Sequence, residues 1–396
     1  MASSNSNVRS LAFIYFILII WSISWAASTG GPVMPLYIRS IGIGVVEWGM
    51  LSMYNAMGMV LFEWIWGFLS DRINRRILMS FSMFCTSIIF SLFTFKTLIP
   101  YFPILQFLFG AFAVSMGPTT RSIISDESKS KSIGFSMSLW SVSVILGRII
   151  GPMVGSYIAQ ISSYECSFYF SSLLSIFVAL YILIDFRGEG RRPHIEKGSS
   201  QSLIEGFRTL IAIPQIRVLF LLAFLTFIVN SSIRSFLPIY ASERVGMSTM
   251  DVGILLSSYY ATMLFATPLF GRLSDRVGRK HIISTTLFLS SIMFLCYSLV
   301  KTPSQLLLVS IAVSMFSIQS PLLLAMLSEF TPRRLSGLSM GIYGSFEDLG
   351  LMVGPPIYGL IWSIYSPLSI FICSAGIQFF NALLIILIKE KKMKMY

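Results

Sequence analysis

Gly67-Phe68-Leu69-Ser70-Asp71-Arg72-Ile73-Asn74-Arg75-Arg76 returns as Gly271-Arg272-Leu273-Ser274-Asp275-Arg276-Val277-Gly278-Arg279-Lys280, at an offset of 204 residues. Each copy is a short, polar, basic interruption between long apolar stretches. Upstream, Pro35 and Tyr37 fall on Pro238 and Tyr240 at an offset of 203. Downstream, Gly134, Ser136, Met137, Leu146, Gly147, Gly151 and Pro152 fall on Gly337, Ser339, Met340, Leu349, Gly350, Gly354 and Pro355, again at 203. One duplicated unit accounts for all these matches, and a period this long predicts two similar halves.

The stretches around the repeat define the solvent. Of 396 residues, 55% are hydrophobic and 12% charged, against about 25% charged in a soluble domain. A helix crossing a hydrocarbon core of about 30 Å needs roughly 20 apolar residues. Twelve such runs occur, at 11–38, 45–69, 77–95, 101–122, 133–159, 165–186, 216–241, 250–270, 281–300, 304–327, 337–363 and 366–388. The first runs well past the short apolar core of a signal peptide and lacks a small-residue cleavage site, so it is expected to be retained. The expectation is an all-α membrane protein with twelve transmembrane helices in two pseudo-symmetric six-helix bundles, 1–186 and 215–396, around a polar linker, 187–214. In the linker, Leu203, Ile204, Phe207, Leu210 and Ile211 share a helical face, which predicts a short helix along the membrane surface.

The net charge of +12 would suggest nucleic acid in a soluble chain; here the positions of the charges decide otherwise. Of the 29 Lys and Arg, only Arg39, Lys96, Arg244 and Lys301 lie in loops on one side, and Arg148 and Arg234 lie within spans. All the others fall on the side of the termini. The positive-inside rule then places both termini in the cytoplasm of a multi-pass cell-membrane protein and removes a nucleic-acid partner.

The repeated loops carry physics as well as topology. Gly67 and Gly271 are expected to allow close helix approach. Asp71 and Asp275 sit near helix ends, where an acid can meet a neighbouring helix N-terminus. Arg72, Arg75, Arg76, Arg276, Arg279 and Lys280 can pair with acids on other helices and latch a gate in one of two states. Arginines obeying the positive-inside rule alone would not share Gly, Asp and Arg spacing in two matched loops. This pattern resembles the motif between spans 2 and 3 of the major facilitator superfamily, and the resemblance covers nearly the whole chain. It implies a twelve-helix secondary transporter working by alternating access as a monomer, with a small-molecule substrate, protons and membrane lipid as partners. Asn74 replaces the family's usual glycine and is expected to tolerate the left-handed backbone there.

Span 5 carries Gly147-x-x-x-Gly151-Pro152-x-x-Gly155 and span 11 carries Gly350-x-x-x-Gly354-Pro355. Spacing of four puts glycines on one face, which makes a close-packing surface with a proline beside it. The span-5 copy resembles the antiporter motif of the superfamily, and Pro32-Val33-Met34-Pro35 resembles a proline pair of twelve-span drug exporters. Both imply efflux of drug-like compounds or metabolites in exchange for protons. Two residues depart from the pattern: Ser138 stands where the antiporter motif begins with glycine, and Gln106 where exporters usually place an arginine in span 4.

Five ionisable residues fall within spans: Glu63, Arg148, Arg234, Glu347 and Asp348. Insertion of an Arg or Asp at mid-bilayer costs roughly 2.5 to 3.5 kcal/mol, so such groups face a cavity or a partner. Asp348 lies off the glycine face of span 11 and is the expected proton carrier, while Glu347 follows the glycine face. Glu63 is expected to join the inner gate. Asn230 lies one turn before Arg234 and Trp21 one turn before Trp25, so each pair can share a face. Structural salt bridges and aromatic packing are the plainer readings of these residues. Arg148 and Arg234 also support a rival reading, proton-coupled uptake of an anionic or sugar-like nutrient.

The chain is not expected to be an enzyme, since no catalytic cluster is visible, nor a receptor, since no signalling domain is. Cys85, Cys166, Cys296 and Cys373 are scattered and read as packing residues. His194 and His281 have no ligand cluster around them, so no metal is expected. No Gly-x-x-x-x-Gly-Lys loop is present, so neither an ATP-driven pump nor a cofactor is implied.

Overall fold

The computed structural model describes residues 2–70, 72–128, 133–185, 200–332 and 335–388. Their regular structure is helical throughout. The helices are α1 (Ala2–Ala27), α2 (Val33–Ser40), α3 (Val45–Ser70), α4 (Arg75–Leu92), α5 (Phe102–Ala113), α6 (Met116–Glu127), α7 (Ile133–Ile161) and α8 (Tyr164–Asp185). They continue as α9 (Ser200–Ala212), α10 (Pro214–Ser231), α11 (Leu237–Glu243), α12 (Thr249–Val277), α13 (Arg279–Cys296), α14 (Pro303–Phe316), α15 (Gln319–Phe330), α16 (Ser336–Ile364) and α17 (Ser369–Leu384). Among the described residues, 10 helical stretches are long and apolar enough to cross a membrane. The other two expected spans are the interrupted first one and α16, whose glycines, serines and Glu347-Asp348 pair make it less apolar. The protein is an all-α membrane protein.

Four of the expected spans are broken, and proline explains where. A proline has no N–H to give the carbonyl four residues back, and its ring clashes with that carbonyl. Pro35, Pro118, Pro238 and Pro321 therefore disturb the chain at Gly31, Val114, Arg234 and Ser317. Those are the break between α1 and α2, the break between α5 and α6, a π-helical turn at Ser232–Phe236, and the break between α14 and α15. The prolines pair at the repeat offset of 203, Pro35 with Pro238 and Pro118 with Pro321, so the interruptions are duplicated with the sequence.

The described residues form two compact units: Met1–Ile195 with Arg234–Ala261, and Glu196–Ile233 with Thr262–Tyr396. In the first, α1 packs on α7, α3 on α5 and α4 on α8; in the second, α10 packs on α16 and α13 on α17. Each has a buried aromatic knot in the same register. Phe93 meets Phe168 at a ring separation of 5.9 Å, and Tyr297 stacks on Phe371 at 4.4 Å. Buried serines join the helices where lipid offers no hydrophobic drive for packing. Ser22 Oγ donates to Val144 O at 2.7 Å, Ser80 Oγ to Ala179 O at 2.8 Å, and Ser291 Oγ to Ala375 O at 2.9 Å.

Residues 200–212 of the linker form α9, which packs against the rest of the second unit. Leu210 is fully buried in the core of the second unit, and a Cβ on Gly206 would stand 2.6 Å from Leu338 Cδ2. The helix packs on α10 and α16, and of the face read from the sequence Leu210 is buried, Ile211 half-buried and Phe207 exposed. His194 and the rest of the linker before Ser200 lie outside the described residues. Cys85, Cys296 and Cys373 are half-buried as packing residues, whereas Cys166 is exposed.

Candidate functional site

The glycines of α7 bring an arginine against a tryptophan. A Cβ on Gly151 would stand 2.6 Å from Ala26 Cβ, and one on Gly155 would fall on Ala27 O, so α7 lies on α1 backbone to backbone. Gly147 closes the same seam, 2.8 Å from Ile19 O by the same measure, and Pro152 is buried beside it. Arg148 rides on this seam with its guanidinium 5.2 Å from the Trp25 ring and 5.9 Å from the Tyr260 ring of α12. Arg234, on the π-helical turn, puts its guanidinium 4.6 Å from the same Trp25 ring. Gly30 has no side chain because the indole of Trp25 occupies the space a Cβ would need. Trp21, one turn earlier, packs instead on the core of the first unit.

Arg148 Nε is sealed from solvent and has no hydrogen-bond partner. Among the described residues, neither the Tyr260 hydroxyl nor the Trp25 indole N–H has a partner either, and no acid pairs with Arg148. The plain reading of Arg148 as half of a salt bridge does not hold. Cation–π contact lessens the cost of a guanidinium without cancelling its charge.

In the second unit α16 repeats the seam against α10. A Cβ on Gly350 would stand 2.9 Å from Phe227 Cβ, and one on Gly354 3.1 Å from Ile228 O; Pro355 is buried with them. Glu347 does not follow this seam as expected. Its Oε1 accepts from Ser320 Oγ at 2.5 Å, across on α15, while the Tyr343 hydroxyl donates to Ser320 O at 3.3 Å. Asp348 and Asn230 are half-buried, and Asn230 lies in this unit whereas Arg234 belongs to the other.

The repeated basic loops are anchored by acids the sequence reading did not single out. Arg75 is 9% exposed, donates from Nη1 to Asp126 Oδ2 at 2.6 Å, and donates from Nε to Ser70 O at 3.2 Å. Its counterpart Arg279 lies 3.2 Å from Glu329 Oε1 and 3.3 Å from Asp275 Oδ1. Asp126 and Glu329 are related by the same offset of 203, a signal present in the sequence. Lys280 Nζ donates to Ile386 O and Ile388 O at 2.8 and 2.7 Å, closing the end of the last helix. Arg72 stacks on Phe68 at 3.9 Å; Arg76 is half-buried and Arg276 exposed. Asp71 lies outside the described residues.

Three expectations for these loops are corrected. Gly67 and Gly271 make no close approach, since a Cβ on either would meet nothing within 4 Å. Asn74 is not left-handed: at φ −58° it is the N-cap of α4, its side chain accepting from Arg76 N. Its counterpart Gly278 has φ +107° and no side-chain cap, so the two copies start their helices by different devices. Glu63 has no ion pair among the described residues and does not join the arginines.

Segment 234–261 is closed onto the rest of the first unit. Arg39 Nε meets Glu243 Oε1 at 2.6 Å, and Trp48 Nε1 donates to Ser235 O at 2.8 Å. Met250 N donates to Gln160 Oε1 at 2.7 Å, and a Cβ on Gly253 would stand 2.7 Å from Pro152 O.

The sequence matches the Major Facilitator Superfamily over residues 16–254 and 219–394, two overlapping stretches that take in both halves. The chain belongs to the Major Facilitator Superfamily. Its relatives include multidrug resistance protein MdtG of Klebsiella pneumoniae (strain 342), 25% identical over 89% of this chain and 87% of that protein. MdtG of Rahnella sp. (strain Y9602) is 24% identical with the same coverage. Among solved structures, a point mutant of the nucleoside transporter NupG matches with a TM-score of 0.80 at 13% identity, covering 95% of this chain and 98% of NupG. A bacterial homologue of the human lysosomal transporter Spinster matches with a TM-score of 0.78 at 15% identity, covering 96% and 95%. At such identities the structures establish the fold alone. As a superfamily member the chain is a membrane transporter of small molecules and not an enzyme.

Within this superfamily fold, the Trp25 cluster was legible only in part. Arg148 and Arg234 stand out as charges in apolar runs, and Trp25 as an aromatic. Their meeting on one ring depends on the seam and on the π-helical turn, neither of which a linear reading supplies.

Proposed function

We propose that this transporter exports drug-like compounds or metabolites from the cell in exchange for protons, by alternating access, as a monomer. Both termini lie in the cytoplasm, and residues 187–214 join two six-helix halves. The observation that carries alternating access is the closed segment 234–261 on one side of the first unit, set against Gly67 and Gly271 facing open space. A glycine in the open has no work in this state and supports a second state in which each loop packs. Export draws its support from the glycine seam of α7 and from the multidrug-resistance relatives.

Asp348 is the proposed proton carrier, loading and releasing its proton as the cavity changes side, with Gln106 in place of the arginine of other exporters. The test is flux in proteoliposomes under an imposed pH gradient, with a panel of fluorescent drugs. Proton-driven accumulation that is lost in Asp348→Asn supports the assignment. Undiminished accumulation in Asp348→Asn removes Asp348 from the mechanism. The rival reading, uptake of an anionic or sugar-like nutrient, draws on Arg148 and Arg234. Substrate moving in the same direction as the protons would favour it. Topology has its own test: a reporter active only in the cytoplasm works when fused after Arg76 or Lys392, and activity at Lys301 would overturn the orientation.

A further inference from the structure

Two buried amides on the last membrane-crossing helix have polar ends that the protein does not satisfy. Gln378 and Asn381 of α17 are fully buried, and Gln378 stands midway along the 19-residue apolar stretch Ser369–Leu387. Asn381 Nδ2 donates to Gln378 Oε1 at 3.3 Å and to Thr226 Oγ1 of α10 at 3.4 Å. Among the described residues, Gln378 Nε2 and Asn381 Oδ1 have no partner. One is a donor and the other an acceptor. Turning both amides over exchanges the atoms and changes nothing in kind. Gln378 Nε2 would then donate to Asn381 Oδ1, leaving Gln378 Oε1 without a donor and Asn381 Nδ2 without an acceptor. We propose that these two side chains hold a buried water molecule between α10 and α17, in the core of the second unit.

The unsatisfied atoms select the ligand. A water molecule accepts from the amide N–H and donates to the amide oxygen at once, whereas a cation satisfies only the oxygen and an anion only the N–H. Either ion would also be buried beside neutral amides, at a high desolvation cost. A polar group left unpaired in the hydrocarbon region keeps its full desolvation penalty, and buried waters are the usual partners of such groups. The surrounding positions are small. Ala223 stands three residues before Thr226 on α10, and Ala375 and Ala382 stand three before and four after Gln378 on α17; all three are buried. The repeat shows that the fold does not require amides here. At the offset of 203, Gln378, Asn381 and Thr226 fall on Ser175, Val178 and Ile23. In the first unit Ser175 Oγ meets Ser24 Oγ at 2.9 Å, and the other two places are apolar. Ser87 Oγ meets Ser172 Oγ there at 2.9 Å. In the second unit Ala375 takes the place of Ser172 in the repeat, and Ser290 Oγ, the counterpart of Ser87, is buried without a partner among the described residues. Within two turns of α17 the second half thus carries two more amides and one hydroxyl fewer, and a water restores the balance of donors and acceptors.

The test uses full-length protein in lipid bilayers, labelled with heavy nitrogen at glutamine, and the probe is water itself. Solid-state NMR reads magnetisation passing from water to the side-chain amide of Gln378, whose signal is identified by its loss in Gln378→Met. The expected result is transfer to Gln378 at short mixing times in the wild type, although the residue is sealed from bulk solvent. Thr226→Val keeps both unsatisfied atoms and should keep the transfer. Asn381→Leu removes the acceptor and fills the space, and should abolish it. A wild-type Gln378 signal that receives nothing from water, or one that receives as much in Asn381→Leu, overturns the proposal. Should Asn381→Leu fold poorly, unfolding temperatures decide instead, through the double variant Gln378→Met/Asn381→Leu. Leu is bulkier than Asn and takes the room of the water, so the double variant should unfold at or above the temperature of Gln378→Met alone. A further fall below Gln378→Met would mean that the site is already full, since overpacking destabilises, and would overturn the proposal as well.

Discussion

Two adjacent carboxylates on one helix have unlike surroundings. Glu347 accepts from Ser320 Oγ at 2.5 Å, so it is built into the α15–α16 contact. Glu347→Gln keeps the shape and loses a charge-assisted hydrogen bond, a cost of about 1.5 to 3 kcal/mol; chemical unfolding in detergent should show it as lost stability. Asp348→Asn should leave stability near wild type while abolishing proton-driven accumulation in the same vesicles, and a reversed pattern would exchange the two roles. The sequence distinguishes these neighbours through the helical wheel, which separates them by about 100°. It assigned Glu347 to the glycine seam because a wheel reports direction around an axis and not which helix stands there. Asp126 and Glu329 were legible in the repeat, yet nothing in a linear reading marks an acid 51 residues from Arg75 as its partner.

Helix pairs give sharper contrasts than single side chains. At the α1–α7 seam a Cβ on Gly155 would fall on Ala27 O, so Gly155→Val should part the helices. Overpacking of this kind costs about 1 to 3 kcal/mol, visible as a lowered unfolding temperature. Gly67→Ala at the open loop has the opposite expectation: exchanging a helical glycine for alanine stabilises by about 1 kcal/mol. Under the proposed alternating access, transport should nevertheless fall, because the added methyl would obstruct packing in the second state. Gly67→Ala protein that is stabilised and transports normally would show that the loop never closes there. The glycines of both sites looked alike in sequence. Only the distance to the facing helix separates a glycine already in use from one held in reserve. The broken spans were more readable than the reading made of them, since Pro35, Pro118, Pro238 and Pro321 mark each interruption through the carbonyl four residues back.

At the scale of the whole molecule, the duplicated motif, the twelve apolar runs and the family were all legible, because repeat period and hydropathy are one-dimensional properties. The closure of 234–261 was not, because it joins residues as far as 204 positions apart in the chain. Its ion pair, Arg39 with Glu243, is about one-third exposed on each side, where such pairs contribute roughly 0 to 1 kcal/mol. That is enough to bias a balanced two-state equilibrium and too little to hold the fold. Glu243→Arg should therefore increase labelling of a cysteine placed at Ser235 without unfolding the protein, and Arg39→Glu in addition should restore protection. Unchanged labelling in Glu243→Arg would make this pair a bystander. The half-buried Asp348 carries a consequence of another kind, an electrical one. If it brings one proton in as a neutral compound leaves, one positive charge crosses the membrane in the sense that an inside-negative voltage favours. At about 2.3 kcal/mol per charge for each 100 mV, the membrane potential alone then drives the export. Proteoliposomes clamped with a potassium gradient and valinomycin, with no pH difference at all, should export a neutral fluorescent drug when the interior is negative and stall when the voltage is reversed.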